Sequence, residues 1–247
     1  YLDADTVLSP HAIDTIVMTM TNPFTASDLL SGLPKQHQYS PSEKFFLPLL
    51  HLTFLSWLPL ELVRYSPFPS MTAAIGQLMA IKRFAYLKYG GFNAIPQEIV
   101  DDMALAKHFK NHRASVRFID AHHLASCRMY QNIHDIWNGF SKNIFVGIGG
   151  WLPLFGVGVL YVTSFILPFG MILVFPWLNT SQISMVLIGI SANIVLRIGI
   201  AIRYEQSIWY TLTQPFAVVL LCSIALNSAY QSTFGTITWK GRIYQDV

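Results

Sequence analysis

From Ile144 to Thr238 the chain carries only three charged side chains, Arg197, Arg203 and Glu205, whereas residues 1–143 hold twelve of its sixteen Lys/Arg and eleven of its thirteen Asp/Glu. No other feature constrains the fold as strongly. A stretch of that length with almost no charge has to be solvated by something other than water, and a bilayer is the available solvent. The composition points the same way: only 12% of residues are charged, about half the usual share of a soluble domain. The sequence therefore predicts a water-facing domain over 1–143, a transmembrane region over 144–230 and a C-terminal tail over 231–247. A net charge of +3 without a basic run interleaved with aromatics gives no footprint for nucleic acid. The two cysteines, Cys127 and Cys222, fall one in each region, so no disulfide framework or cysteine-based metal site is expected.

In the apolar half, Ile144–Leu178 is too long for one span of roughly 20 residues, and the sequence predicts a helical hairpin turning between Tyr161 and Gly170. Ile183–Ile202 and Ile208–Tyr230 supply two further spans. Four spans return Lys240 and Arg242 to the side of Lys142, as the positive-inside rule favours, but put Arg203 on the opposite side. Three spans reverse those two placements.

In the charged half, residues 6–44 predict a short helix, a strand and a loop. Phe45–Val63 is apolar enough for a span, yet its prolines, His51 and Glu61 predict a helix at the interface or packed on the domain. A strand and turn within Met71–Ala85 lead to a helix start, and Gly90-Gly91 predicts a tight turn. Ile99–Lys110 predicts an amphipathic helix, Ser115–Ile119 a short strand and Gln131–Asn143 a second amphipathic helix.

Three constellations could carry chemistry. Asp3-Ala4-Asp5 follows Tyr1-Leu2 as ligands would at the carboxyl edge of a buried strand. Such a pair can hold an oxygen-loving ion, Mg²⁺ or Mn²⁺, without caging it, although a capped turn has the same appearance. Asp101-Asp102 opens a predicted helix, where the helix dipole favours acids and where a positioned carboxylate could serve as general base. Arg128-Met129-Tyr130 precedes Gln131, His134 and Trp137; Arg128 suits either an interface anchor or bidentate contact with a pyrophosphate. All eight histidines precede residue 135. His108 and His112 have the spacing of helix-borne zinc ligands but lack the glutamate of a metalloprotease, and are expected to be structural.

Taken in order, Asp3-Ala4-Asp5, Ile75-Gly76-Gln77-Leu78, Gly90-Gly91-Phe92, Asp101-Asp102 and Arg128-Met129-Tyr130 before membrane spans resemble glycosyltransferase family 2. The similarity is closest to membrane-bound members that glycosylate carotenoids or are associated with hopanoid synthesis, in which RMY, GFSKN (Gly139–Asn143) and TWKGRIY (Thr238–Tyr244) recur in similar form. The resemblance implies an α/β catalytic domain of GT-A type, represented by its C-terminal half only, followed by an α-helical transmembrane region. It implies Asp3 and Asp5 as the metal and diphosphate site, Asp102 as catalytic base with Asp101 in support, and Gly76, Gln77, Gly90 and Gly91 on the acceptor side. Arg128, Gln131 and Trp137 would contact the donor. The partners implied are a nucleotide-sugar donor, a lipid acceptor of carotenoid, hopanoid or polyprenyl type, and the membrane, with the catalytic domain on the cytoplasmic face of a bacterial inner membrane. The nucleotide-binding half of the family is expected to precede Asp3 in a longer protein. Gln131 to Trp137 is also similar to the Gln-x-x-Arg-Trp segment of the cellulose-synthase branch, but Ile136 replaces the arginine, which argues against processive polymerisation. A processive polysaccharide synthase and a non-enzymatic transporter or scaffold are the competing expectations.

Overall fold

A computed structural model of the chain describes residues 1–57, 60–96, 98, 100–235, 237–239 and 242–244. Contacts divide it into two compact units, 1–37 with 53–129 and 38–52 with 130–247.

The first unit is a layered α/β structure. Strands β1 (Thr6–Leu8), β2 (Leu29–Gln36), β3 (Met79–Ile81) and β4 (Val116–Cys127) form a mixed sheet in the order β1-β4-β2-β3. β2 and β4 are parallel, while β3 and β1 run antiparallel on either flank. β2 is buried along nearly its whole length, as expected of a strand covered on both faces. Its alternation divides the core. Leu29 and Leu33 face Leu105, Ala106 and Phe109 of helix α6 (Asp101–Asn111), whereas Leu30 packs with Ile16 and Met20 of helix α1 (Ala12–Thr21). Gly32 allows the close approach of β4, since a Cβ there would lie 2.8 Å from that of Ala121.

Phe45–Val63 is not one helix. It forms α2 (Pro41–Phe46), α3 (Pro48–Trp57) and α4 (Leu60–Tyr65); Leu58 and Pro59 lie outside the described residues. Val63 is fully buried and the Phe54 ring stacks on Phe118 at 5.0 Å, so the latter part of this apolar sequence packs on the sheet's core, while Phe46 packs on Phe140 in the second unit. The predicted strand Ser115–Ile119 is the beginning of a twelve-residue strand that also contains His122-His123. The register of β2 on β4 slips between Pro34 and Lys35, where a proline cannot donate to the ladder.

Loop 66–78, between α4 and β3, carries Gly76 and is anchored from two elements. Lys110 of α6, itself buried, donates to the carbonyls of Ser66 and Met71 at 2.8 Å each. On β2, Ser31 Oγ receives the Ile75 amide at 2.8 Å and donates to the Ile75 carbonyl at 3.1 Å. The expected Gly-Gly turn follows helix α5 (Arg83–Tyr89): Gly90 and Gly91 have φ of +87° and +53°. A Cβ on Gly91 would fall 2.1 Å from the Tyr86 ring. We expect Gly91→Ala to destabilise the protein by about 1–3 kcal/mol, from overpacking and the positive φ. Gly147→Ala, whose Cβ meets nothing within 4 Å in a helix, should be neutral or stabilising by up to about 1 kcal/mol. Thermal unfolding of the two variants in detergent makes the comparison.

The second unit is helical. α2 begins with a capping box in which Ser40 and Glu43 satisfy each other's backbone amides. Helix α7 (Ile133–Ile148) is capped by Asn132, which accepts from the Asp135 amide at 2.9 Å, and ends at Gly149 with φ +94°. The sequence segments RMY and GFSKN pack on each other here. Tyr130 lies over Gly139, where a Cβ would sit 2.3 Å from its hydroxyl, and its ring is 5.3 Å from Phe140.

Three apolar helices follow, long enough to cross a membrane: Trp151–Trp177, Thr180–Arg203 and Ile208–Phe234. The hairpin expected between Tyr161 and Gly170 is replaced by one continuous helix. Its turns pass from α through a π segment at Val162–Ile166 and back before tightening to 3-10 geometry at Met171–Trp177. The π turn holds Thr163 and Ser164 within the helix without reversing the chain. The surplus length is taken up instead by α7, which runs to Ile148 before the Gly149-Gly150 turn. Leu152, Phe155, Leu173, Met185, Ile188, Val195 and Trp209 point outward, an exposed apolar surface compatible with a lipid environment. Beyond Gly235, Ile237–Trp239 pairs with Arg242–Tyr244 as an antiparallel ribbon; Lys240 and Gly241 lie outside the described residues.

Candidate active site

The chemistry-bearing residues of the first unit gather beside β3. Tyr1 and Met79 exchange backbone hydrogen bonds at 2.8 and 3.1 Å, so Tyr1-Leu2 runs as an extended segment along that strand. The chain then turns, with the Thr6 amide donating to the Asp3 carbonyl at 3.0 Å, and enters β1. This turn presents Asp3 and Asp5 at the surface.

Asp102 stands in the first turn of α6, where the dipole favours an acid. One of its oxygens accepts from the Met103 amide and the other from the Gly76 amide, each at 2.7 Å. The Gly76 bond ties the loop to the helix and brings Asp102 up to Asp3. A Cβ on Gly76 would lie 3.4 Å from Oδ1 of Asp3 and 3.6 Å from Oδ2 of Asp102. Two carboxylates 99 residues apart in sequence therefore flank one glycine. Burial pushes the Asp102 carboxyl above the usual aspartate range; the Met103 and Gly76 amides oppose the shift, while the charges of Asp101 and Asp3 add to it. Asp101 remains exposed and caps the Asp102 amide at 3.0 Å.

Beneath this pair runs a buried polar chain absent from the sequence expectations. Gln77 Oε1 accepts from Gln36 Nε2 at 2.8 Å, and Gln36 Oε1 accepts from the Cys127 thiol at 3.3 Å. Burial raises Cys127 to about 12, with the charges of Asp5 and Asp3 contributing, so this thiol is a neutral donor with no nucleophilic character. Gln77 is only 2% exposed; it supports the floor and does not line a cleft. Gln36 and Cys127 gave no sequence signal, because the partners in this chain come from β2, β4 and the loop before β3.

Arg128 follows Cys127, which pairs with Thr6 across β1 and β4. Arg128 therefore lies just beyond the end of that ladder. Gly90 and Gly91 shape an aromatic cluster: Tyr1 stacks on Tyr86 at 5.8 Å and meets Phe92 edge-on at 5.0 Å. Through Tyr1 this cluster borders the Asp3 segment. Gln131 and Trp137 belong to the second unit, exposed before and half-buried within α7. His108 and His112 are engaged with the carbonyls of Tyr89 and His108 at 2.8 and 2.9 Å, in keeping with a structural role.

Among the described residues, no group of three or more His, Cys, Asp or Glu is disposed to hold a metal ion. Asp3 and Asp5 suit a cation of the Mg²⁺ type, which takes one or two carboxylates and completes its shell with water and substrate phosphate oxygens. Comparison with protein-family models, with curated proteins and with solved structures found no match.

Proposed function

We propose that this chain belongs to a membrane-bound, inverting glycosyltransferase that moves a sugar from a nucleotide donor to a hydroxyl of a lipid-type acceptor, and that its first unit is the acceptor-side half of a GT-A-like domain. The observation that carries this reading is the convergence of Asp3 and Asp102 on Gly76. Single displacement at an anomeric carbon needs two carboxylate functions close together but not equivalent. One manages the charge of the departing nucleotide diphosphate; the other takes a proton from the attacking hydroxyl. The two aspartates differ in the required sense: Asp3 is exposed, whereas Asp102 is partly buried with a raised affinity for protons.

A divalent cation bound at Asp3 and Asp5 would neutralise developing charge on the diphosphate. Asp102 accepts the acceptor's proton on the carboxylate edge not engaged by the two amides. Asp101 orients Asp102 through its amide, and Arg128, just beyond the end of β4, would contact a phosphate. The apolar helices hold the protein where a lipid acceptor is found.

The test uses membranes containing the full-length protein, supplied with radiolabelled nucleotide sugars with and without Mn²⁺ or Mg²⁺. Metal-dependent label in extractable lipid is the expected result. Label confined to insoluble polymer would favour a polysaccharide synthase, and no incorporation from any donor would remove the enzymatic reading.

A further inference from the structure

The second unit holds a topological relationship that length and hydropathy do not reveal. Ser164 of the first apolar helix accepts at its carbonyl from Asn193 Nδ2 of the second at 2.8 Å, and Gly189 packs on Pro168 with a would-be Cβ at 3.4 Å. As one position rises the other falls, so these two helices are antiparallel, and Trp151 lies toward the same end as Arg203. The third helix starts at that end too, since only residues 204–207 separate Arg203 from Ile208.

Its far end returns there. Trp151 Nε1 donates to Thr233 Oγ1 at 3.2 Å, the Phe145 amide donates to Ser228 Oγ at 3.0 Å, and Asn227 donates to Ser141 Oγ at 2.8 Å. These contacts bind the last turns of the third helix to the α7–Trp151 junction. An early turn goes deeper: Gln214, the seventh of its 27 residues, reaches with Nε2 to Asn193 Oδ1 at 3.4 Å, ten residues below Arg203, or about 15 Å at 1.5 Å per residue. That depth is about half of a bilayer's hydrocarbon thickness of about 30 Å.

We infer that only the first two apolar helices cross the membrane, and that Ile208–Phe234 is a re-entrant hairpin entering and leaving by one face. Ile208–Thr213 packs in 3-10 geometry against the second helix, and Gln214–Phe234 packs against the π segment of the first. Such an apex survives in hydrocarbon only where protein buries its backbone. Here Thr211, Gln214, Ala217 and Val218 are all under 5% exposed. Pro215 opens the returning helix, removing one of the amide donors that a helix start would leave unpaired at mid-depth.

Charge supports the same arrangement independently. Neither a fourth span nor a third crossing lets Lys142, Arg203 and the tail's Arg242 share a face, whereas the re-entrant path puts all three together. The opposite turn, Leu178-Asn179, then carries no charge at all, as the positive-inside rule favours.

The full-length protein carrying Cys127→Ala and Cys222→Ala would receive single cysteines at Thr180 or Ser207, labelled with a membrane-impermeant maleimide in right-side-out and inverted vesicles. A protease-cleavable tag after Val247 on the otherwise unaltered chain reports the tail without any internal substitution. The expected result is that Ser207→Cys and the tag respond from one face and Thr180→Cys from the other. A tag cleaved from the Thr180 face would mean that the third helix crosses. All three sites on one face would mean that the first two do not. Either result overturns the inference.

Discussion

Asp102→Asn is expected to lower sugar transfer by about 10²–10⁴-fold, the usual contribution of a positioned general base. The asparagine keeps the side-chain shape and one acceptor oxygen for the Met103 or Gly76 amide, so fold and donor affinity should change little. Asp101→Asn, exposed and adjacent to the residue that holds the Gly76 amide, should cost far less. Retention of turnover by the Asp102 variant would refute its role as base. The pH profile adds a second reading. A base acts deprotonated, and burial holds Asp102 above the ordinary aspartate value of about 3.9. The rate should therefore rise with pH through a range above that value. Asp3→Asn removes one of the charges that raise Asp102, so the acidic limb of its residual activity should move downward. Stability follows the opposite sign. The folded carboxyl binds its proton more tightly than the unfolded one, so Asp102 costs stability as pH rises through the gap between the two values.

The second large effect is expected at Asp5. Asp5→Asn should reduce metal-dependent transfer by about 100- to 1000-fold, about 3–4 kcal/mol of transition-state stabilisation, and raise the Mn²⁺ or Mg²⁺ concentration for half-maximal activity. Its carboxylate sits at an exposed turn on the Cys127 side, so the substitution disturbs no buried packing. A metal titration unchanged from wild type would exclude Asp5 as a ligand. The same titration with Asp3→Asn separates the two acids, because Asp3 also sets the charge around Asp102.

The sequence by itself determined the partition into a charged half and an apolar half, because the free energy of solvating a long uncharged stretch is summed locally, residue by residue. It likewise determined the tight turn at Gly90-Gly91 and the acidic start of α6, since positive φ and the helix dipole act over a few residues. It gave no account of why Asp3 and Asp102 meet. That depends on Ser31, Lys110 and the Gly76 amide fixing one loop between β2 and α6, contacts whose partners lie tens of residues apart. Phe45–Val63 looks apolar for a reason that hydropathy cannot distinguish, burial against Phe118 and its neighbours instead of burial in lipid. The same ambiguity governs Ile208–Phe234. Its length and apolarity are those of a span, but hydropathy measures the solvent a helix tolerates and not the direction in which it runs. Hydrogen bonds from Asn193 to Ser164 and from Trp151 to Thr233 set that direction, and such long-range pairings exist only once the helices have packed.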